Sequence, residues 1–294
     1  MLNVFGKKIE FSPVIKNLKF SNPVLTASGT CGYGLECRDF FDINKIGGLV
    51  LKGTTAEPRP GNNVPRIAEF QGGIINSIGL QNVGIEKFIN EIAPEFINVK
   101  SNIILNISGN SFEEYKYMTA EVNNCKHVHG IEINISCPNV KKGAIAFGQD
   151  PEMVFELVSL CRKETDKMIT VKLTPNVTDI TSIAVAAEKA GADAITCINT
   201  FRGLLFDLEK DTFALSNIVG GVSGPAIKPM ALLAVYECAK KVNIPIIGVG
   251  GIFSPQDALE FLKVGASLVQ IGTYMMTKPD SPVIVSKYLE GVLT

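Results

Sequence analysis

The chain has 294 residues, 46% hydrophobic and 19% charged, with 28 basic against 29 acidic side chains. That balance excludes a polyanion-binding surface spread over the whole protein, and low charge with ample apolar content excludes disorder. No stretch approaches the roughly 18 consecutive apolar residues of a membrane span, and Met1–Lys8 has no apolar signal core, so a soluble, cytoplasmic protein with no membrane or nucleic-acid partner is expected.

In chain order, short Val/Ile-rich segments read as strands at Pro23–Ser28, Gly48–Thr54, Asn102–Gly109, Gly130–Cys137, Met168–Thr174, Ala194–Thr200, Ile244–Gly251 and Leu268–Thr273. Helical stretches follow them at Glu36–Lys45, Gly84–Ile97, Phe112–Asn123, Pro151–Lys163, Asp179–Ala190, Pro225–Lys241 and Ser254–Lys263, and Ser281–Val292 closes the chain. Ser254-Pro255 is a start signal, Ser as cap and Pro in the first turn. Eight strands alternating with eight helices predict an α/β fold, a (β/α)8 TIM barrel rather than a doubly wound sheet. No linker or change of composition divides the chain, so 1–294 reads as a single barrel domain. Residues 1–20 read as a short hairpin ahead of it, with Val4–Lys8 and Ile9–Phe11 around a turn. The length beyond the usual ~250 residues of a barrel falls in two connections, Thr55–Val83 and Phe201–Gly224. Both follow strands, which puts them on the C-terminal face where barrel active sites lie.

Seven scattered cysteines with no Cys-x-x-Cys pair make neither a disulfide framework nor an iron–sulfur or zinc site. His127 and His129 have no third ligand type beside them and read as a surface pair, so no metal is expected. The strand ends are more informative. They carry Ser28, Lys52, Asn106, Asn134, Lys172 and Asn199, and alternation places Glu132, Asn134 and Ser136 on one face of the fourth strand. A single strand-end Asn or Ser could merely satisfy backbone groups, but a buried unpaired ammonium is costly, and six polar ends converging form a ring at the barrel mouth. Lysines and amides with few acids suit a ligand bearing carbonyls, ring N–H groups and negative charge. Gly250-Gly251 and Gly272-Thr273, ending strands seven and eight, suit a phosphate. Pro138 stops the fourth strand and sets Cys137 at the mouth, at the head of the Lys141–Gly148 loop. A thiol there can serve as a base or nucleophile near neutral pH, whereas Cys125, Cys161, Cys197 and Cys238 read as small buried hydrophobes and Cys31 and Cys37 stay open.

Several segments together resemble the dihydroorotate dehydrogenases: Ala27–Thr30, Leu51–Thr55, Pro58–Asn62, Asn76–Asn82, Asn134–Asn139, Asn199-Thr200 and Gly221–Pro229. The likeness runs almost end to end. It implies FMN-dependent oxidation of dihydroorotate to orotate in pyrimidine (UMP) biosynthesis. Cys137 in place of a serine, with Leu51–Thr55 and Gly221–Pro229, resembles the catalytic subunit of the NAD-linked type of the soluble class. One departure is Gly143-Ala144-Ile145-Ala146, where that type more often has a Gly-Gly pair. The resemblance implies that Cys137 removes the C5 proton. Asn76, Ser77, Ile78, Gly79, Leu80, Asn134, Asn199 and Thr200 would hold the substrate, with Lys52 shared between substrate and flavin. Ser28, Gly53, Asn106, Asn134, Lys172 and Ile198 would line FMN, and Gly224, Gly250, Gly251, Gly272 and Thr273 would take its ribityl phosphate end. It also implies a homodimeric core and an electron-transfer subunit carrying FAD and a 2Fe–2S cluster, two copies of each chain forming a heterotetramer. Two alternatives remain outside this type: a fumarate-linked enzyme of the same class, and an aldolase-type barrel using Lys172 or Lys52 as a Schiff-base nucleophile. A non-catalytic metabolite-binding barrel is a third.

Overall fold

The structure is a computed structural model that describes residues 1–136 and 147–294. Cys137 and the departure at Gly143-Ala144-Ile145-Ala146 lie outside the described residues. Eight parallel strands close a barrel: β1 (Val24–Thr26), β2 (Gly48–Val50), β3 (Asn102–Ile107), β4 (Gly130–Asn134), β5 (Met168–Lys172), β6 (Ala194–Cys197), β7 (Ile246–Val249) and β8 (Ala266–Ile271). Each pairs with the next in sequence, and β8 returns to β1 with Val269 opposite Val24. The expected TIM barrel is therefore present, each strand near its expected place.

Alternation sorts the side chains into an outer and an inner set. Ile131, Ile133, Ile169, Val171 and Ile195 join the main core under the surrounding helices. The inner set changes with height. Near the N-terminal end, Leu25, Val50, Ile104, Met168, Ala194, Ile247 and Leu268 form an apolar layer closed from below by Ile15 and Phe20. Above it the inner residues turn polar: Asn106, Glu132, Thr170, Thr196 and Gln270 are all buried. Polarity thus rises along the barrel axis toward the C-terminal mouth.

The N-terminal hairpin is not where the sequence suggested. It pairs Val14–Ile15 with Leu18–Lys19, because Ile15 and Phe20 are the residues that plug the barrel base, and the first eight residues keep only one bridge, Leu2 to Lys8. Five of the expected helices stand within two residues of their limits, at Phe112–Asn124, Pro151–Glu164, Ile180–Lys189, Pro255–Lys263 and Ser281–Leu293, and Ser254 caps its helix by accepting the Asp257 N–H. The Pro225–Lys241 stretch opens as a 3-10 turn and is α-helical over Lys228–Lys241. Two expectations fail. Glu36–Lys45 forms two 3-10 turns, because the Asp42 side chain accepts the Asn44 N–H and starts a second turn in mid-segment. Gly84–Ile97 is one short α turn, a π turn over Phe88–Ile92 and a 3-10 turn over Ala93–Phe96, since Pro94 has no N–H to continue an α ladder. A short helix, Tyr274–Thr277, follows β8 and was not anticipated.

The two long connections meet over the mouth. Phe201–Leu204, Val219–Ser223, Gly73–Asn76 and Ile67–Phe70 form one antiparallel sheet in that order, with Gly221 opposite Asn76. Cys125, Cys161, Cys197 and Cys238 are free and buried as expected, and burial pushes the Cys161 thiol up to about 11. Cys31 and Cys37, in the loop after β1 and left open by the sequence, are joined as a disulfide pair with their Cα atoms 6.0 Å apart, a local link rather than a disulfide framework. The histidines are not a plain surface pair either. Both are half-buried, and His129 Nδ1 accepts the Ile103 N–H at 2.9 Å. Burial and then the nearby Lys167 ammonium hold the His129 pKa below its ordinary value.

Candidate active site

A cavity of about 590 Å³ opens at the C-terminal mouth under the four-stranded sheet. It is within the usual size of a cofactor site. Among the residues lining it are Ser28, Lys52, Gly53, Asn76, Ser77, Ile78, Gly79, Leu80, Asn106 and Asn134. Lys172, Ile198, Asn199, Thr200, Gly224, Gly250, Gly251, Gly272 and Thr273 line it as well. Every described candidate from the sequence therefore faces one space, although they come from all eight strand ends and both long connections.

The floor is made by Asn106 of β3, Lys172 of β5 and Gln270 of β8. Lys172 Nζ donates to Ser28 Oγ at 3.1 Å and stands 3.7 Å from Glu132 Oε1. Glu132 lies one layer below and is fully buried. Its Oε1 also accepts from Asn106 Nδ2 at 2.8 Å, and its Oε2 accepts from Gln270 Nε2 at 2.7 Å and Thr196 Oγ1 at 3.0 Å. Sequence reasoning put Glu132 on the inner face but gave it no role, and it overlooked Gln270. The signal for both was available: each is the polar residue at an inner position of an otherwise aliphatic run.

One wall is an amide cluster. Asn199 Nδ2 donates to Ser136 Oγ at 2.9 Å and Asn134 Oδ1 at 3.3 Å, while Asn199 Oδ1 accepts the Thr200 N–H at 2.8 Å. Asn134 Oδ1 accepts the Ser136 N–H, and the Tyr115 hydroxyl donates to the Asn134 carbonyl at 2.5 Å. These bonds fix both amides before any ligand arrives. Opposite, the Asn76–Leu80 turn is held by its backbone. The Ser77 N–H donates to the Arg66 carbonyl, the Ile78 carbonyl accepts the Asn62 N–H, and the Leu80 carbonyl accepts from Asn82 Nδ2. Arg66 lines the cavity too and donates to Gln81 Oε1 at 2.7 Å; nothing in the sequence pattern singled it out.

Lys52 is half-buried with its Nζ 5.8 Å from the centre of the Tyr33 ring. Burial lowers its pKa, against which the Glu36 carboxylate pulls it up. At the far end, Gly224 has φ +112° and a Cβ there would lie 2.6 Å from Gly73 Cα. Gly251 has φ +77° and a Cβ would meet Lys228 at 2.6 Å, where the Lys228–Lys241 helix begins. Only glycine suits both places. Thr273 Oγ1 and Ser223 Oγ are 2.8 Å apart beside them.

The lining fits a flat, polar-edged aromatic cofactor. Asn106 Oδ1 and Gln270 Oε1 are buried acceptors with no partner, and both residues line the cavity beside the Lys172 ammonium. Orphan acceptors of this kind call for donors, which a ligand in the cavity can supply. At Gly53 a Cβ would sit 3.1 Å from Asn106 Oδ1, so glycine keeps the approach to that acceptor open. The Ser77 hydroxyl is a further buried group without a partner. Among the described residues no cluster of His, Cys, Asp or Glu could hold a metal ion.

Comparison with known proteins bears on the same cavity. The family model described as dihydroorotate dehydrogenase matches residues 12–293. A protein of Citrifermentans bemidjiense is 47% identical over 97% of this chain and 93% of its own length. One of Phocaeicola vulgatus is 48% identical over 97% and 94%, and one of Carboxydothermus hydrogenoformans is 51% identical over 90% and 86%. All three are named dihydroorotate dehydrogenase B (NAD+), catalytic subunit. A crystal structure from Eimeria tenella, of a DHODH in complex with ferulenol, shares the fold with a TM-score of 0.80. It is 22% identical and covers 99% of this chain and 86% of that one.

Proposed function

The chain belongs to the dihydroorotate dehydrogenase family, and from that premise we propose that it oxidises dihydroorotate to orotate on a bound FMN, as the NAD-linked catalytic subunit of pyrimidine biosynthesis. The observation that carries the reading is the gathering of two lysines, an amide cluster and close-approach glycines around one cavity. When bound, FMN supplies the two-electron acceptor for the hydride that leaves C6 of dihydroorotate.

This chain's own residues do the rest. Asn134 and Asn199, pre-set by Ser136, Thr200 and Tyr115, orient the carbonyl and N–H edges of the pyrimidine ring. Asn76 to Leu80 complete the substrate side, and Lys52 faces the carboxylate. Cys137 Sγ takes the C5 proton, as the resemblance implies; an unperturbed thiol titrates near ~8.5, within reach of physiological pH. Lys172 lies in the cavity floor, where its ammonium stabilises negative charge developing on the ring above. Gly224, Gly250, Gly251, Gly272 and Thr273 admit a phosphate to their backbone N–H groups.

The curated relatives are named as catalytic subunits, which supports a separate electron-transfer subunit for this chain. That partner would carry FAD and a 2Fe–2S cluster and assemble with a homodimer of this chain as a heterotetramer. A cytoplasmic location is part of the same proposal; no helix of the described residues is long and apolar enough to cross a membrane. The test is turnover of the purified chain with dihydroorotate and three acceptors in turn: fumarate, NAD and a quinone. The chain alone should reduce dyes but neither fumarate nor NAD at speed, and adding the partner should confer NAD reduction. Rapid fumarate reduction by the isolated chain would contradict the NAD-linked assignment.

A further inference from the structure

Glu132 is a fully buried carboxylate that the proposed chemistry does not use. Its side chain has no exposed surface, and among the described residues its one close cation is Lys172 at 3.7 Å. Among the described residues, the side chains hydrogen-bonded to it are donors: Asn106 Nδ2, Gln270 Nε2 and Thr196 Oγ1. A carboxylate only accepts, so it dictates which end of each amide turns downward. With both NH2 groups spent on Glu132, the oxygens of Asn106 and Gln270 are left as the two orphan acceptors of the cavity floor.

We propose that Glu132 is a positioning residue that sets the polarity of the cofactor site. Through Asn106 and Gln270 it presents two acceptors to an N–H of the bound ring, and as the counter-charge of Lys172 it limits how strongly the floor favours the reduced, anionic ring. The inference rests on the FMN reading above. Oxidised isoalloxazine has a single ring N–H, at N3, so the acceptor pair selects for that edge. A neutral residue at 132 would leave the Lys172 charge unopposed, and a net positive floor stabilises the anionic form of the cofactor. Glu132 touches neither substrate nor cavity, and it acts on both only through its three partners.

Two measurements test this. In Glu132→Gln, the ratio of dissociation constants for oxidised over reduced FMN should rise about tenfold, a positive shift of about 30 mV in the two-electron potential. Glu132→Asp, which keeps the charge, should stay within about threefold of wild type. A merely structural role would lower thermal stability and leave the potential in place. Separately, the wild-type chain stripped of flavin should bind N3-methyl FMN at least about tenfold more weakly than FMN, because methylation removes the donor. An unchanged ratio in Glu132→Gln overturns the proposal. If that variant does not fold, equal affinity of the wild type for FMN and its N3-methyl analogue overturns it. A wild-type chain that takes up no FMN at all overturns the preceding reading and this one together, whereas uptake with an unchanged ratio overturns this one alone.

Discussion

The two ends of the barrel each hold a buried or half-buried charge network, and they are finished differently. At the base, Arg162 donates to the Thr165, Lys167 and Gly191 carbonyls and pairs with Asp193 at 2.8 Å, and Asp193 Oδ2 also accepts the Ile169 N–H. Lys167 Nζ gives its three protons to the carbonyls of Val122, Cys125 and Val128. That network is closed, and its job is to tie the loops after two helices to the start of β5. At the mouth, Asn106 Oδ1, Gln270 Oε1 and Ser77 Oγ have no partner among the described residues, and the Lys52 ammonium stands over the Tyr33 ring at the edge of the cavity with the more distant Glu36 as the only carboxylate acting on it. Saturation marks a structural network; unfilled valence around a cavity marks a ligand site. Charge and burial alone do not separate the two.

The largest effect that would break this contrast belongs to the mouth. Cys137→Ala should leave FMN and orotate bound but slow flavin reduction by dihydroorotate by about 10²–10⁴. Stopped-flow absorbance checks this, and reduction at wild-type speed would mean that another group takes the proton. At the base, Arg162→Ala should cost about 2–3 kcal/mol of stability by stranding carbonyls and Asp193, with turnover per folded molecule unchanged. Denaturant unfolding reads the first and an active-site-normalised assay the second. A rate loss without a stability loss would erase the distinction between the ends.

Lys172→Met should act on both counts. FMN affinity should fall about tenfold or more, and the flavin-free chain should melt at a lower temperature because the buried Glu132 carboxylate loses the ammonium 3.7 Å away, measured by fluorescence titration and by thermal melts of the apoprotein. The smallest expected effect is a pH dependence. Burial lowers the Lys52 pKa, so its charge is lost at a lower pH than that of a free lysine. Orotate affinity should therefore be flat at neutral pH and decline on the alkaline side, starting below the range where free lysine titrates. The sign for stability is opposite: the cost of burying the ammonium is full below the lowered pKa and is relieved as pH rises through it. Lys52→Gln should bind orotate more weakly and lack the alkaline decline; a decline that survives in that variant assigns it elsewhere.

How much of this was legible before the structure follows from the range of the forces involved. Strand positions depend on local Val/Ile runs, and all eight were readable. So were the strand-end residues, because period-two alternation and closure of the barrel put Asn106, Asn134 and Lys172 into one ring without any knowledge of loops. The sheet over the mouth was not readable. Gly73–Asn76 and Val219–Ser223 are short, half-exposed and about 145 positions apart, and their pairing is fixed only once the barrel brings them together. Arg66 directly precedes the Ile67–Phe70 strand of the same sheet and was missed for the same reason. Glu132 was readable as an inner residue but not as a partner of Lys172, since its contacts come from β3, β5, β6 and β8 at once. The helix from Gly84 to Ile97 failed more simply: Pro94 was visible, and its missing N–H was enough to predict the break.

The most direct test of the account is an anaerobic titration of the purified chain with dihydroorotate while the flavin absorbance is followed. The account predicts a yellow protein releasing one FMN per chain on denaturation, and bleaching that completes near one equivalent of dihydroorotate with orotate formed in step. A colourless chain that gains no absorbance with added FMN, or bound FMN that stays oxidised under excess dihydroorotate, would contradict it.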